Sequence, residues 1–334
     1  MLQNSRALEA DWVPRDVVHR NPEKNALRDA LEPLMSGEPP QDVLIDGPSG
    51  VGKTCLSRHT VQKLEEETIG VDTVHIDCWN HSRRFRVLLD LCEAIGPTHD
   101  IHRSTPKDEM LARVEAHESD LVVILDEADQ LADSTLIREL WSIPHVHLLC
   151  IANREADILA ALDERIKSRF RGAMRVHFDS YSHNDLVAIL NARVRGALAP
   201  RTISDEQIET LAEAAGGNAR DAITALKNAV YAARREGVDT VCDHHIEEAM
   251  PEARREIHET HLNRLHEHQR LLYDILLETG PQSPKELRER YETRVDDAKS
   301  KRTVRTYLGK LDEYDLVQAT GQGPSRIYEA VEIL

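Results

Sequence analysis

Between residues 42 and 56 the chain reads DVLIDGPSGVGKTCL, an apolar run that breaks into a glycine-rich loop and resumes as a helical pattern. Gly47, four further residues, then Gly52, Lys53 and Thr54 have the spacing of a phosphate-binding P-loop. The chemistry explains the spacing. A segment with little side chain, running from Gly47 through Pro48, Ser49, Gly50, Val51 and Gly52 to Cys55, can fold its backbone around β- and γ-phosphates at the positive end of the following helix. Lys53 then reaches the β/γ oxygens, and the Thr54 hydroxyl is a ligand for Mg²⁺. A tight strand-to-helix turn needs glycine too, but it has no use for a lysine and a threonine at these two positions. The expected cofactors are therefore ATP or ADP with Mg²⁺.

Hydrolysis needs more than a cradle. In LVVILDEADQL, residues 121–131, five apolar residues read as a strand buried on both faces and ending in Asp126 and Glu127. An aspartate there holds Mg²⁺ and the adjacent glutamate accepts a proton from the attacking water. A further strand, VHLLCIAN, ends in Asn153, whose amide could orient that water, although asparagine is also a common turn residue. LDERIKSRFRG carries Arg165 and Arg169 in a basic cluster, and GGNARDAITAL puts Arg220 near a helix start, where its guanidinium can fold back onto the γ-phosphate. Taken alone, Arg220 fits a solvated helix equally well.

Bulk properties narrow the setting. The 334 residues suffice for two or three domains with cores of their own. Cys55, Cys78, Cys92, Cys150 and Cys242 are odd in number and have no CxxC spacing, so the expectation is a reducing cytoplasm without disulfides or a cysteine-rich zinc site. No apolar run reaches the length of a membrane span, and no signal peptide opens the chain. The net charge is -17, and of the 42 bases only ten are lysine. Such a surface suits a salt-rich interior and argues against indiscriminate nucleic-acid binding, so any DNA contact must come from a local basic patch.

The chain divides by pattern. Residues 1–180 read as an arm, a first helix ending at Gly37, and strands alternating with helices, which implies a parallel sheet covered on both sides. Residues 181–254 lose the strands; Ser204 and Gln207 have capping-box spacing and Gly216-Gly217 stops that helix, so a helical lid is expected. Residues 255–334 read as three helices and a β-hairpin, a winged helix-turn-helix. Within it, Ala298 to Leu311 contains Lys299, Lys301, Arg302, Arg305 and Lys310 and no acid. Lys299, Lys301, Arg302 and Arg305 are expected on a recognition helix in the major groove, with Arg326, near Gly321 and Gly323, at the minor groove. His258, His261, His266 and His268 in HETHLNRLHEH lack metal-binding order and read as a solvated helix.

Together GPSGVGKT, VVILDEAD, CIAN, ERIKSRF and GNARDA, followed by a winged helix, resemble the AAA+ replication initiators of archaea, relatives of origin recognition complex subunits and the cell-division-control helicase loader. The opening WVPRDVVHRNPEKNALRDAL is similar to the family's first box, and the likeness spans nearly the whole chain. It implies that Val18, His19 and Arg20 pack near the adenine and that Asn153 and Arg220 are the two sensors. It also implies that Arg169, with Arg165 second, is a finger completing a neighbour's site, and that a helix bearing Arg83, Arg84 and Arg86 touches duplex DNA. The implied partners are double-stranded origin DNA, the replicative helicase and further copies on DNA, with no membrane. Two other readings stay open: a DNA-binding regulator or plasmid maintenance protein with a vestigial ATPase, and a mobile-element or clamp-loader-like ATPase acting through proteins.

Overall fold

The computed structural model describes residues 1–334 except 10, 11, 15, 16, 18, 163–165, 168, 169, 171, 322–324, 333 and 334. The chain forms two compact units, Met1–Ile223 and Thr224–Leu334.

In the first unit, helix α1 (Asn21–Leu31) leads through a 3₁₀ turn to Gly37, which takes up φ 71° and ends the element. Five strands follow: β1 (Val43–Asp46), β2 (Val71–Asp77), β3 (Asp120–Asp126), β4 (Val146–Ile151) and β5 (Met174–His177). Every pairing among them is parallel, and their order is β2-β3-β4-β1-β5. Between them run α2 (Lys53–Glu67), α3 (Arg84–Ile95), α4 (Lys107–Glu115), α5 (Thr135–Ser142) and α6 (Glu155–Ala161).

Alternation along the strands feeds two cores. Leu44, Leu121, Val123, Leu125, Leu148 and Cys150 point to one face, where α3, α4 and α5 bury Val87, Leu88, Leu91, Met110, Val114 and Leu140. Val43, Ile45, Val122, Ile124, Leu149 and Ile151 point to the other, against Leu27 and Leu31 of α1 and Leu56, Val61 and Leu64 of α2. Each fully buried Leu or Ile contributes roughly 1.5–3 kcal/mol over an exposed one. Continuous apolar strands such as LVVIL are the signature of a sheet covered on both sides.

Helices α7 (His183–Ala197) and α8 (Asp205–Ala214) come next, each opened by a capping box, Ser182 with Asp185 and Ser204 with Gln207. Gly216 and Gly217, at φ 57° and 94°, close the turn into α9 (Ala219–Arg235), which runs on into the second unit.

The second unit continues with α10 (Asp243–Arg264), α11 (Glu267–Thr279), α12 (Pro284–Glu292) and α13 (Lys301–Glu313). Antiparallel β6 (Val317–Thr320) and β7 (Ile327–Ala330) form the hairpin, and a bridge from Gln282 to Tyr328 adds a third short pairing. Helix, bridge, helix, helix and hairpin is the element order of a winged helix-turn-helix.

Three sequence expectations need correction here. The stretch NRLHEHQRLLYDILLETG is two helices, because His266 adopts an extended backbone and exchanges capping hydrogen bonds with Gln269. The histidine-rich segment is solvated only in part: His258 and His261 are buried, the first against Tyr273 Oη at 3.4 Å and the second against the Tyr314 carbonyl at 3.2 Å, while His266 and His268 keep contact with solvent. Lys299 precedes α13 instead of lying on it, since Ser300 is the cap, and its ammonium pairs with Asp297.

Candidate functional site

The carboxyl ends of β1, β3 and β4 converge because β4 lies between β1 and β3, and ligands of open α/β sheets bind at such ends. The loop after β1 is the glycine-rich segment, and its backbone explains its composition. A Cβ on Gly47 would stand 2.2 Å from the Phe178 carbonyl oxygen, and one on Gly50 1.8 Å from Asn218 Oδ1. At these two positions only glycine lets the loop pack under β5 and against the start of α9.

Lys53 opens α2 and folds its ammonium over the loop, donating to the carbonyls of Gly47 at 2.5 Å and Pro48 at 2.6 Å and to Asn153 Oδ1 at 3.1 Å. Thr54 Oγ1 donates to Asp126 Oδ2 at 2.7 Å, and His75 Nε2 is 3.3 Å from the same oxygen. Burial alone would raise the Asp126 pKa, but the His75 hydrogen bond and charge, the Thr54 hydroxyl and the Lys53 ammonium outweigh it and hold the carboxyl below its usual range. Asp126 is thus an anion ready for a cation. Glu127 follows in the left-handed region at φ 54°, an uncommon conformation for a residue with a side chain and one that concentrates at functional sites. Asn153 Nδ2 is buried and makes no hydrogen bond, an orphan donor at the pocket.

From the lid side, Arg220 Nη1 donates to Ser49 Oγ at 3.1 Å, and Asn218 Oδ1 caps α9 by accepting from the amides of Arg220 and Asp221. Arg20, also left-handed at φ 60°, stacks 4.0 Å from the Tyr181 ring centroid and donates to the carbonyls of Val51, at 3.2 Å, and Asp179. His19 pairs with Asp185 at 2.8 Å. Ser49, Lys53, Thr54, Asp126, Glu127, Asn153 and Arg220 line a pocket of about 500 Å³ that also has Trp12, Pro14, Val17, Tyr181, Ile189, Ala192 and Ile223 in its wall; His19 and Arg20 are not among its lining residues, and Arg20 reaches it only through Tyr181 and Val51. One set of walls is polar and anion-seeking, and the other is apolar with an aromatic ring, as a nucleotide's two ends require.

Trp12, Tyr181, Arg193 and His75 were not singled out from sequence. Arg193, on α7, donates to the carbonyls of Ala7, Glu9 and Trp12 and lies 4.7 Å from the Trp12 ring centroid, so it ties the N-terminal arm to the pocket wall. No local pattern marks such residues; the tryptophan inside the N-terminal box was the nearest signal. Val18, Arg165, Arg169 and Gly323 lie outside the described residues.

The basic residues sort differently from the expectation. Arg84 is only 13% exposed and is clamped by Asp133 and Glu139, which takes it out of a DNA-facing set. Arg83 is exposed at the cap of α3, and Arg86 pairs with Asp90 at 3.3 Å. On α13, Lys301, Arg302 and Arg305 are exposed while Lys310 is buried over Tyr314. Arg326 lies along the hairpin, 4.0 Å from Asp312 Oδ2 and over the Tyr328 ring.

A family model described as an AAA domain matches residues 40–161, and one described as the Cdc6 AAA+ ATPase-type lid domain matches residues 187–251. The chain is 41% identical to ORC1-type DNA replication protein 9 of Halobacterium salinarum over 99% of its own length and 94% of that protein's. It belongs to the ORC1-type DNA replication proteins, and so to the AAA+ ATPases. ORC1-type DNA replication protein 1 of the same organism is 43% identical over 91% of this chain and all of the relative. In fold, the chain is similar to Aeropyrum pernix ORC1 solved in complex with DNA, with a TM-score of 0.76 at 23% identity, covering 98% of this chain and 93% of that one. Aeropyrum pernix ORC2, solved as ADPNP-ADP complexes, aligns with a TM-score of 0.65 at 22% identity, covering 98% and 94%. Among the described residues no helix is long and apolar enough to cross a membrane.

Proposed function

We propose that this chain is an ATP-dependent initiator that binds duplex origin DNA and helps recruit the replicative helicase, with slow hydrolysis serving as a switch. The observation that carries the reading is the convergence of Lys53, Thr54, Asp126, Glu127, Asn153 and Arg220 on one pocket, in a chain whose relatives are named DNA replication proteins.

The pocket suits its cofactors. Thr54 and Asp126 already touch, and their hard oxygens suit Mg²⁺. Bound there, Mg²⁺ would neutralise charge on the phosphates. Lys53 is held by neutral carbonyls that a phosphate oxygen outbids, because a charged acceptor makes the stronger hydrogen bond. Asn153 Nδ2 has a donor to offer a γ-phosphate oxygen or the attacking water, and Glu127 beside it takes the proton that water gives up. Arg220 bridges the lid to the loop through Ser49, so γ-phosphate loss is felt directly at α9. Arg169, with Arg165 second, completes a neighbour's site when copies assemble on DNA, and the exposed cations of α13 contact the duplex.

The test is footprinting of AT-rich repeats beside the gene with wild type and Lys53→Ala, each with ATP and with ADP. Sequence-specific protection that depends on ATP and is lost in Lys53→Ala supports the reading. Equal protection by the variant would leave a DNA-binding regulator with a vestigial ATPase, and absence of specific protection would leave an ATPase acting through proteins.

A further inference from the structure

We propose that Glu236, Cys242, His244 and His245 form a binding site for a divalent transition metal of the Zn²⁺ class, joining the end of α9 to the start of α10. The four residues sit around a short turn that holds Gly237 at φ 76°. The ligand atoms of Cys242, His244 and His245 all lie within 4.8 Å of one another. A metal with bonds of roughly 2.0–2.3 Å brings its ligands to within roughly 3.3–3.8 Å of each other, so closing the site asks for side-chain rotation and no backbone rearrangement.

The imidazoles are oriented for the task. His245 is 1% exposed, and its Nδ1 accepts the Cys242 amide at 2.9 Å, which fixes the ring with Nε2 towards Glu236; a metal at Nε2 displaces the ring proton, which passes to Nδ1 as that cap bond opens. That Nε2 is buried and 3.1 Å from Glu236 Oε2, outside hydrogen-bonding geometry. His244 Nε2 is 3.3 Å from both oxygens of the same carboxylate, and the two rings are 3.9 Å apart. The Cys242 sulfur makes a 4.0 Å approach to the Thr240 carbonyl and accepts the His245 amide in the capping box of α10, and a metal-bound thiolate can go on accepting that amide.

Two imidazole nitrogens converge on one carboxylate oxygen, at 3.3 and 3.1 Å, and a dication can bridge all three in place of the ring protons. One thiolate and one carboxylate balance its charge, and the soft sulfur with two imidazoles selects Zn²⁺ or Co²⁺ over the oxygen-seeking Mg²⁺ and Ca²⁺. Cys242 is half-buried and His244 exposed, which gives the ion a way in. Bound metal would staple two helices across their connecting turn and so stabilise the second unit.

Co²⁺ titration of the reduced, chelator-stripped full chain tests this. Expected are an ultraviolet thiolate-to-metal band and the visible bands of a tetrahedral ion, saturating at one equivalent, together with a raised thermal midpoint in Zn²⁺. Cys242→Ser should abolish the thiolate band, and His244→Ala should weaken binding at least tenfold while leaving the far-ultraviolet circular dichroism unchanged. No thiolate band in the wild type with metal in large excess, or a band that persists in Cys242→Ser, overturns the site.

Discussion

At the residue scale the pocket is a set of side chains held by one another. Lys53 rests on carbonyls and on Asn153, and Thr54 on Asp126, which keeps the cation, the metal ligands and the amide in register. Pre-organisation of this kind lowers the cost of binding. Glu127 stands apart, since its left-handed backbone is maintained against an intrinsic cost of about 1–3 kcal/mol. Glu127→Gln keeps the shape and loses the base, so the variant should bind ATP with undiminished affinity and hydrolyse it roughly 10²–10⁴-fold more slowly. Filter binding and single-turnover hydrolysis measure the two separately. Turnover at the wild-type rate would remove Glu127 from the proton transfer.

At the element scale, helices were readable from their caps and faces, but not the partners of their charged residues. Helix α3 carries Arg84 at its first position, yet that side chain turns to Asp133 and to Glu139 of α5 and serves packing. Arg84→Ala should therefore lower stability by about 1.5–3 kcal/mol, the worth of hydrogen bonds to charged groups, and leave duplex affinity unchanged. A fall in affinity with no fall in thermal midpoint would return Arg84 to the DNA face. In the second unit the cap of α11 is a histidine whose neutral form is required, because His266 Nδ1 accepts the Gln269 amide. Burial first, then the charges of His268 and Lys299, push its pKa down from 6.5 to about 4. A histidine with a lowered pKa in the folded state takes up its proton first in the unfolded chain, so stability falls as pH drops from about 6.5 towards about 4. His266→Asn retains a capping acceptor and removes the titration. Its urea midpoint should depend less on pH over that window than the wild type's, and an identical dependence would clear His266 of the role.

At the scale of the whole molecule, an acidic chain with a net charge of -17 offers duplex DNA an acid-free run on and just before α13. Lys301, Arg302 and Arg305 are its exposed cations, and each phosphate neutralised adds nearly one unit to the salt dependence of binding. Replacing Arg302 and Arg305 together with Glu should weaken duplex binding and flatten the slope of log affinity against log salt by about two. Unchanged affinity with an unchanged slope would make this part a protein-docking module. The sequence by itself determined the strands, most of the helices, the parallel sheet, the phosphate loop and the acidic pair, because each follows from a local pattern: buried apolar strands, a glycine spacing, a capping box. Tertiary structure alone decided that Arg20 stacks on Tyr181, that Arg193 fastens the arm carrying Trp12, that Arg84 is an ion-pair anchor, and that His258 and His261 are buried. The physical reason is that a charged or ring side chain takes its role from whichever partner the fold brings within a few ångströms, and most of those partners lie on other elements, beyond the reach of any periodicity.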